Sequence, residues 1–302
     1  MFYTLIVVLA VLFVLTTALS FALAGYSMRI KGQTLEEARK WQSSRYDLSF
    51  YDGCEKTDYV VKSFDGYELH AQKLANMRPT GKYVIISHGY TDNRIGSLKY
   101  AKEYLALGFD VIIYDLRGHG LNAPTFCTYT VREARDLDAV IRDARVRFPD
   151  IRLLGLHGES LGAATTAAVM QYKPAVDFAV ADCGFAEIES IIRAGIRGFH
   201  LPGGLVHLGS AGAKLRYGCS YAQMRPVDAL RDNRVPMLFI HGEKDGFIPC
   251  RHSFAMRDAT QGCAEVLIVP GAKHAASVFA DPVRYREALQ RFIDGVEASV
   301  RS

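Results

Sequence analysis

The chain has no Cys-x-x-Cys pair and no His-Glu-x-x-His. Its six cysteines, Cys54, Cys127, Cys183, Cys219, Cys250 and Cys263, are scattered. That spacing argues against a disulfide framework or a zinc site and for ordinary free thiols. The missing histidine pair excludes a zinc-protease helix. There is no basic run and no RNA-binding signature, and a net charge of +4 is mild for 302 residues. Nucleic acid is therefore not an expected partner. Internal repeats and low-complexity tracts are also missing. With 49% hydrophobic and 23% charged residues, the chain has enough apolar material for one large domain without disulfides or metal to hold it.

Charge is missing altogether from the N-terminus. The stretch "MFYTLIVVLAVLFVLTTALSFALAGYSM" has no charged side chain before Arg29. A helix of about 20 such residues spans the hydrocarbon core of a bilayer, and pairs its own amides there as lipid demands. A cleaved signal peptide is the rival reading, with Ala22-Leu23-Ala24 as its cleavage site. Against it, the run is long for a signal core and no Lys or Arg precedes it. A soluble core helix would show a polar side. Arg29, Lys31, Arg39 and Lys40 follow the run, so the positive-inside rule puts the C-terminal body in the cytoplasm.

The expected organisation is a transmembrane helix or signal segment over 1–28, a juxtamembrane helix and linker over 29–56, and a body over 57–302. Within the body, "DYVVKSF" and "YELHAQKL" flank Asp65-Gly66 as a hairpin. Six short apolar runs follow: "KYVIISHG", "FDVIIYD", "IRLLGLHG", "DFAVADCG", "VPMLFIHG" and "EVLIVPG". Helical-period segments separate most of them. Such alternation predicts an α/β fold, a mostly parallel twisted sheet with helices on both faces. Ligands then sit beyond the carboxyl ends of the strands. About fifty residues separate the fourth run from the fifth, too many for an ordinary connection. This segment, about 184–234, reads as an inserted helical cap. It carries no acidic residue between Ile191 and Val227.

The chemistry-bearing residues follow the runs. Gly158-Glu159-Ser160-Leu161-Gly162 stands between a strand and a helix, the context that lifts a serine hydroxyl out of a sheet. The alternative is a structural turn whose serine caps the helix. A nucleophilic serine needs a base. His274, in the loop after the last run, is preferred over His252, which falls inside a helical segment. The imidazole needs a carboxylate to fix its tautomer, and Asp245 is preferred over Asp182. Two amides must hold a developing oxyanion: that of Leu161, and that of Tyr90 in the loop after "KYVIIS". His88 reads as a hydrogen-bonder beneath that loop. "YDLRGHGLN" is not a dinucleotide fingerprint, because Ala123 stands where a third glycine belongs; Arg117 and His119 read as fasteners of neighbouring loops.

In order, "SHGYTDNR", "YDLRGHG", "HGESLGAAT", "ADCGF", "FIHGEKDGFIP" and "GAKHAAS" resemble the α/β-hydrolase superfamily. The likeness is to membrane-anchored bacterial hydrolases related to the serine aminopeptidase and lysophospholipase-like group. It runs from about Asp58 to Gly295. The resemblance implies an α/β-hydrolase fold and a triad of Ser160, Asp245 and His274 that cleaves an ester, thioester or amide without cofactor or metal. A small-molecule or lipid-like acyl substrate is expected, with esterase or lysophospholipase activity preferred. A peptidase or acyltransferase on the same residues, or a scaffold that only binds, are the alternatives. After Arg117-Gly118-His119-Gly120 the bulkier "LNAPTFCTYT" departs from the family pattern, which touches the substrate pocket rather than the triad.

Overall fold

A computed structural model describes residues 2–301. Eight strands form one sheet in the order β1-β2-β4-β3-β5-β6-β7-β8. They are β1 (Lys56–Lys62), β2 (Glu68–Leu74), β3 (Lys82–Ser87), β4 (Asp110–Tyr114), β5 (Leu153–Glu159), β6 (Phe178–Asp182), β7 (Met237–Gly242) and β8 (Ala264–Val269). β1 and β2 form the hairpin around Asp65-Gly66, and β2 lies antiparallel to β4. Every later pairing is parallel. Strands β4 to β7 are buried along their whole length. This is why they read as unbroken apolar runs rather than as alternation.

The helices are α1 (Phe2–Met28), α2 (Leu35–Ser43), α3 (Ser49–Gly53), α4 (Leu98–Ala106), α5 (Glu133–Arg147), α6 (Leu161–Ala168), α7 (Ile188–Gly198), α8 (Leu205–Tyr217), α9 (Arg251–Ala259), α10 (Ser277–Ala280) and α11 (Pro282–Arg301). The sheet separates two apolar cores. One joins α5, α6, α9 and the cap helix α8 to residues such as Leu154, Leu156 and Phe239. The other joins α2, α4 and α11 to residues such as Val84, Ile86 and Ile240. Helices on both faces of a mostly parallel sheet are thus the observed architecture. Between β6 and β7 stand α7, α8 and two short 3-10 turns, Tyr221–Gln223 and Pro226–Leu230.

Helix α1 is long and apolar enough to cross a membrane, with a mean hydropathy of 2.7. It is not uniform. Phe2 to Thr16 are exposed on every side, whereas Ser20, Ala24 and Met28 are buried. Their spacing of four places them on one helical face, and that face packs on α8. The residues between α1 and β1 are packed as well. Thr34 caps α2 through a reciprocal bond with Glu37, and Ala38, Gln42, Leu48 and Tyr51 are buried.

Candidate active site

Ser160 follows β5 directly and precedes α6. Its backbone has φ 53° and ψ −110°, a conformation that non-glycine residues hold only when their surroundings enforce it. The enforcement is visible. A Cβ on Gly158 would lie 2.2 Å from the Gly162 carbonyl oxygen, and one on Gly162 would lie 2.0 Å from the Ser87 carbonyl oxygen. Both glycines let α6 start hard against β3 and β5. The Ser160 amide donates to the Asp182 carbonyl at 2.9 Å. The Ser160 side chain makes no capping bond to α6, so its hydroxyl is not engaged as a helix cap.

That hydroxyl faces an imidazole instead. Ser160 Oγ lies 3.0 Å from His274 Nε2, and His274 Nδ1 lies 2.7 Å from Asp245 Oδ2. With Nδ1–H donating to the carboxylate, Nε2 is left to accept the serine proton. Asp245 stands three residues beyond β7, and its Oδ1 accepts the amides of Phe247 and Ile248, each at 2.9 Å. Burial alone would favour its neutral form. Hydrogen bonds from His241 and His274 overcome that and hold its pKa well below the usual carboxylate range.

The rival residues lie elsewhere. His252 Nδ1 accepts the Ala186 amide at 3.3 Å, and burial lowers its pKa. The Asp182 carboxylate accepts the hydroxyls of Tyr100 and Tyr285 at 3.3 and 3.2 Å. Burial, with Glu159 nearby, raises its pKa to about 6.

The loop after β3 runs past the serine: a Cβ on Gly89 would lie 3.8 Å from Ser160 Cβ. The next residue is Tyr90. Among the described residues, neither the Tyr90 nor the Leu161 backbone amide donates to another protein group. Beneath the loop, His88 Nδ1 donates to the Gly89 carbonyl at 2.7 Å, while Nε2 accepts the Leu116 amide at 2.8 Å. Burial pushes its pKa well down, so it is a neutral brace. His119 Nε2 lies 2.5 Å from the Tyr90 carbonyl. Arg117, fully buried, pairs with Asp65 in the hairpin turn at 2.8 Å and with Asp136 on α5 at 2.6 Å.

Two features of the site are not legible as motifs. Lys99 on α4 is buried and paired with Glu159, the residue before the serine. Burial opposes the Lys99 charge, but Glu159 and then Asp92 overcome it and raise its pKa. Tyr100 donates to the same carboxylate at 2.6 Å. The second feature is the chain leaving α1, which crosses the loop after β3. The Tyr90 hydroxyl donates to the Arg29 carbonyl, and the Cys127 amide donates to the Met28 carbonyl at 3.0 Å. The Tyr90 and Tyr129 rings stack, with centroids 5.7 Å apart.

Cys183, Asp245 and His274 place one ligand atom each within 4.8 Å of one another. A metal ion there would displace the proton shared by His274 and Asp245. Burial, with Asp182 and Glu159 beside it, pushes the Cys183 thiol well up, so the sulfur is a neutral thiol and a poor ligand.

A strand-turn-helix serine beyond the central strands of a doubly covered parallel sheet defines an α/β hydrolase, and the chain belongs to that superfamily. The profile described as "Serine aminopeptidase, S33" matches residues 78–194. The chain is 31% identical over 276 residues to the Bacillus subtilis protein YqkD, itself uncharacterised, covering 89% of this chain and 90% of that one. The Pyrococcus furiosus esterase Pf2001 superposes with a TM-score of 0.66 at 18% identity, over 82% of this chain and 95% of its own. A Pyrococcus horikoshii acylaminoacyl peptidase superposes with a TM-score of 0.60 at 15% identity, over 81% of this chain and 41% of its own. At those identities the two structures share the fold.

Proposed function

We propose that the chain is a membrane-anchored serine hydrolase that cleaves an acyl ester through an acyl-enzyme on Ser160. The observation that carries this reading is the unbroken line from Ser160 Oγ to His274 to Asp245, at 3.0 and 2.7 Å. His274 Nε2 takes the hydroxyl proton as Oγ attacks the substrate carbonyl carbon. The tetrahedral oxyanion takes up the vacant amides of Tyr90 and Leu161, which is where electrostatic stabilisation acts most strongly. His274 then returns the proton to the leaving alcohol as the carbonyl re-forms and the C–O bond breaks. Water repeats the sequence, releasing the acid and restoring the serine. Asp245 stays ionised throughout and steadies the imidazolium.

The ester reading is supported by the likeness to the Pyrococcus esterase. The match to a serine aminopeptidase profile supports a second reading, an amide substrate on the same residues. The span reading of α1 rests on its length, its hydropathy and the full exposure of Phe2 to Thr16. Turnover of p-nitrophenyl esters and of aminoacyl p-nitroanilides by the full-length protein in detergent tests both substrate readings. Ester turnover lost in Ser160→Ala is the expected result. Full ester turnover in that variant overturns the assignment, and turnover of the anilides alone replaces the ester reading with the peptidase one.

A further inference from the structure

Helix α1 divides into an exposed part and a docked part, and the division fixes where the cap lies relative to a bilayer. Phe2 to Leu19 would span about 27 Å at the ~1.5 Å rise of an α-helix, close to the ~30 Å of a hydrocarbon core. From Ser20 onward the helix leaves that layer and lies on α8. The contacts fix the register between the two helices. Ser20 Oγ donates to the Leu208 carbonyl at 2.7 Å, and a Cβ on Gly212 would lie 2.3 Å from the Ser20 carbonyl oxygen. Further along, Gly25 approaches Arg216 and Tyr217, and Ser27 bonds Tyr221. Leu23 meets Gly209 as well, so the two helices cross near Ser20, with Tyr217 at the end of α8 on the side of the end of α1.

The start of α8 therefore lies on the side of the exposed span. Leu205, three residues before Leu208, sits about 4.5 Å along α8 from the carbonyl that Ser20 bonds. The turn that joins α7 to α8 immediately precedes it. Arg197 to Pro202 are exposed without interruption, and among them Phe199 is 69% exposed and Leu201 is 47% exposed. At the tip of this helical hairpin Phe199 is largely uncovered and Leu201 about half so. Basic groups outnumber acidic ones on the two helices that the turn joins. Arg193 and Arg197 lie on α7 and His207 on α8, and the only acidic residues on these helices are Glu187 at the α7 cap and Glu189, which pairs with Arg193 at 2.5 Å. Arg197 has no carboxylate partner among the described residues.

We infer that the α7–α8 turn of the cap inserts into the bilayer surface from which α1 emerges, with Phe199 and Leu201 among the acyl chains and Arg197 at anionic headgroups. The occupant is lipid, because the exposed apolar tip precedes the helix that holds Ser20, where α1 leaves its exposed stretch, and its flanking charge is basic. The cap is then held at the membrane by two points, and the site beneath it opens close to where a lipid-like acyl substrate resides. The inference rests on the reading of α1 as a membrane span.

Tryptophan fluorescence of the full-length protein in vesicles tests both statements separately. The chain has one tryptophan, so Trp41→Phe provides a dark background. In that background Phe199→Trp reports the cap tip and Phe13→Trp reports α1. Each is reconstituted in phosphatidylcholine with phosphatidylglycerol, with ordinary or brominated acyl chains. Both reporters are expected to lose at least about half their emission with the brominated lipid. Quenching of the α1 reporter alone overturns the inference and leaves the span intact. Quenching of neither overturns both, and quenching of the cap reporter alone supports the cap contact while removing the span. Omission of phosphatidylglycerol is expected to reduce quenching at the cap tip; unchanged quenching overturns the role given to Arg197.

Discussion

The Tyr129 hydroxyl donates to the Ser27 carbonyl at 2.5 Å, so the last turn of an apolar N-terminal helix is tied to the ring that stacks on Tyr90. The helix end thereby becomes part of the support of the loop that carries a candidate oxyanion donor. Gln33 extends the attachment, donating to Asp92 at 2.8 Å.

A chain that starts at Thr34 keeps the N-cap of α2 and loses this support. On the proposed mechanism its kcat toward a soluble short-chain ester falls by about a hundredfold, the scale of a one-ångström misplacement. Steady-state kinetics of the two chains in the same detergent check this. Equal kcat values would mean that α1 only anchors and does not shape the site.

Asp245→Asn keeps the shape of the side chain but removes the negative charge that fixes the His274 tautomer. A fall in kcat of about 10⁴ is expected, with substrate KM little changed. Dividing kcat by the folded fraction read from circular dichroism separates this from a general loss of structure, which would lower activity and folded fraction together.

Lys99→Met leaves Glu159 buried without its cation, directly before the serine. Breaking a buried pair in this way costs about 3–5 kcal/mol. Thermal unfolding of the detergent-solubilised protein should show a midpoint well below that of the parent. Adding Glu159→Gln to the same chain removes the orphaned charge and should recover part of the loss. No recovery would mean that Lys99 contributes through packing rather than charge.

Asp182 makes the fold sensitive to pH. Its Oδ1 is buried with no partner, and its pKa is raised to about 6 from 3.8. The folded state thus prefers the neutral carboxyl. Its contribution is fully present below about pH 4 and is lost as pH rises through about 6, an effect of order 3 kcal/mol at ~1.4 kcal/mol per pKa unit. Asp182→Asn should therefore gain stability relative to the parent at pH 8 more than at pH 5. An equal difference at both values would show that this carboxyl does not titrate in the window.

The parts of the fold that were readable from sequence share a physical cause. Strands β3 to β7 are buried on both faces, so their apolar residues run together, and the groups just beyond them stood out as polar breaks. Ser160 and Asp245 stand in such breaks, after β5 and β7; His274 follows β8, which is only half buried and is legible because its apolar residues Val266 to Val269 still run together. Lys99 and Glu159 were not, because a charge at those positions looks like a solvated helix face and a motif filler until the fold brings them together. The docked half of α1 was equally hidden. Ser20, Ala24 and Met28 suit a lipid-facing helix as well as a protein-facing one, and only the glycines of α8 show that another backbone comes close.

A fluorophosphonate probes the Ser160 nucleophile most directly, since its phosphorus bonds rapidly to an activated serine oxygen and very slowly to an ordinary one. Full-length protein is labelled, digested and mapped by mass spectrometry, with Ser160→Ala and His274→Ala in parallel. One adduct is expected, on the peptide carrying Ser160, absent from Ser160→Ala and strongly slowed in His274→Ala. Folded parent protein that takes no label at Ser160, or labels at the same rate without His274, would contradict the nucleophile assignment.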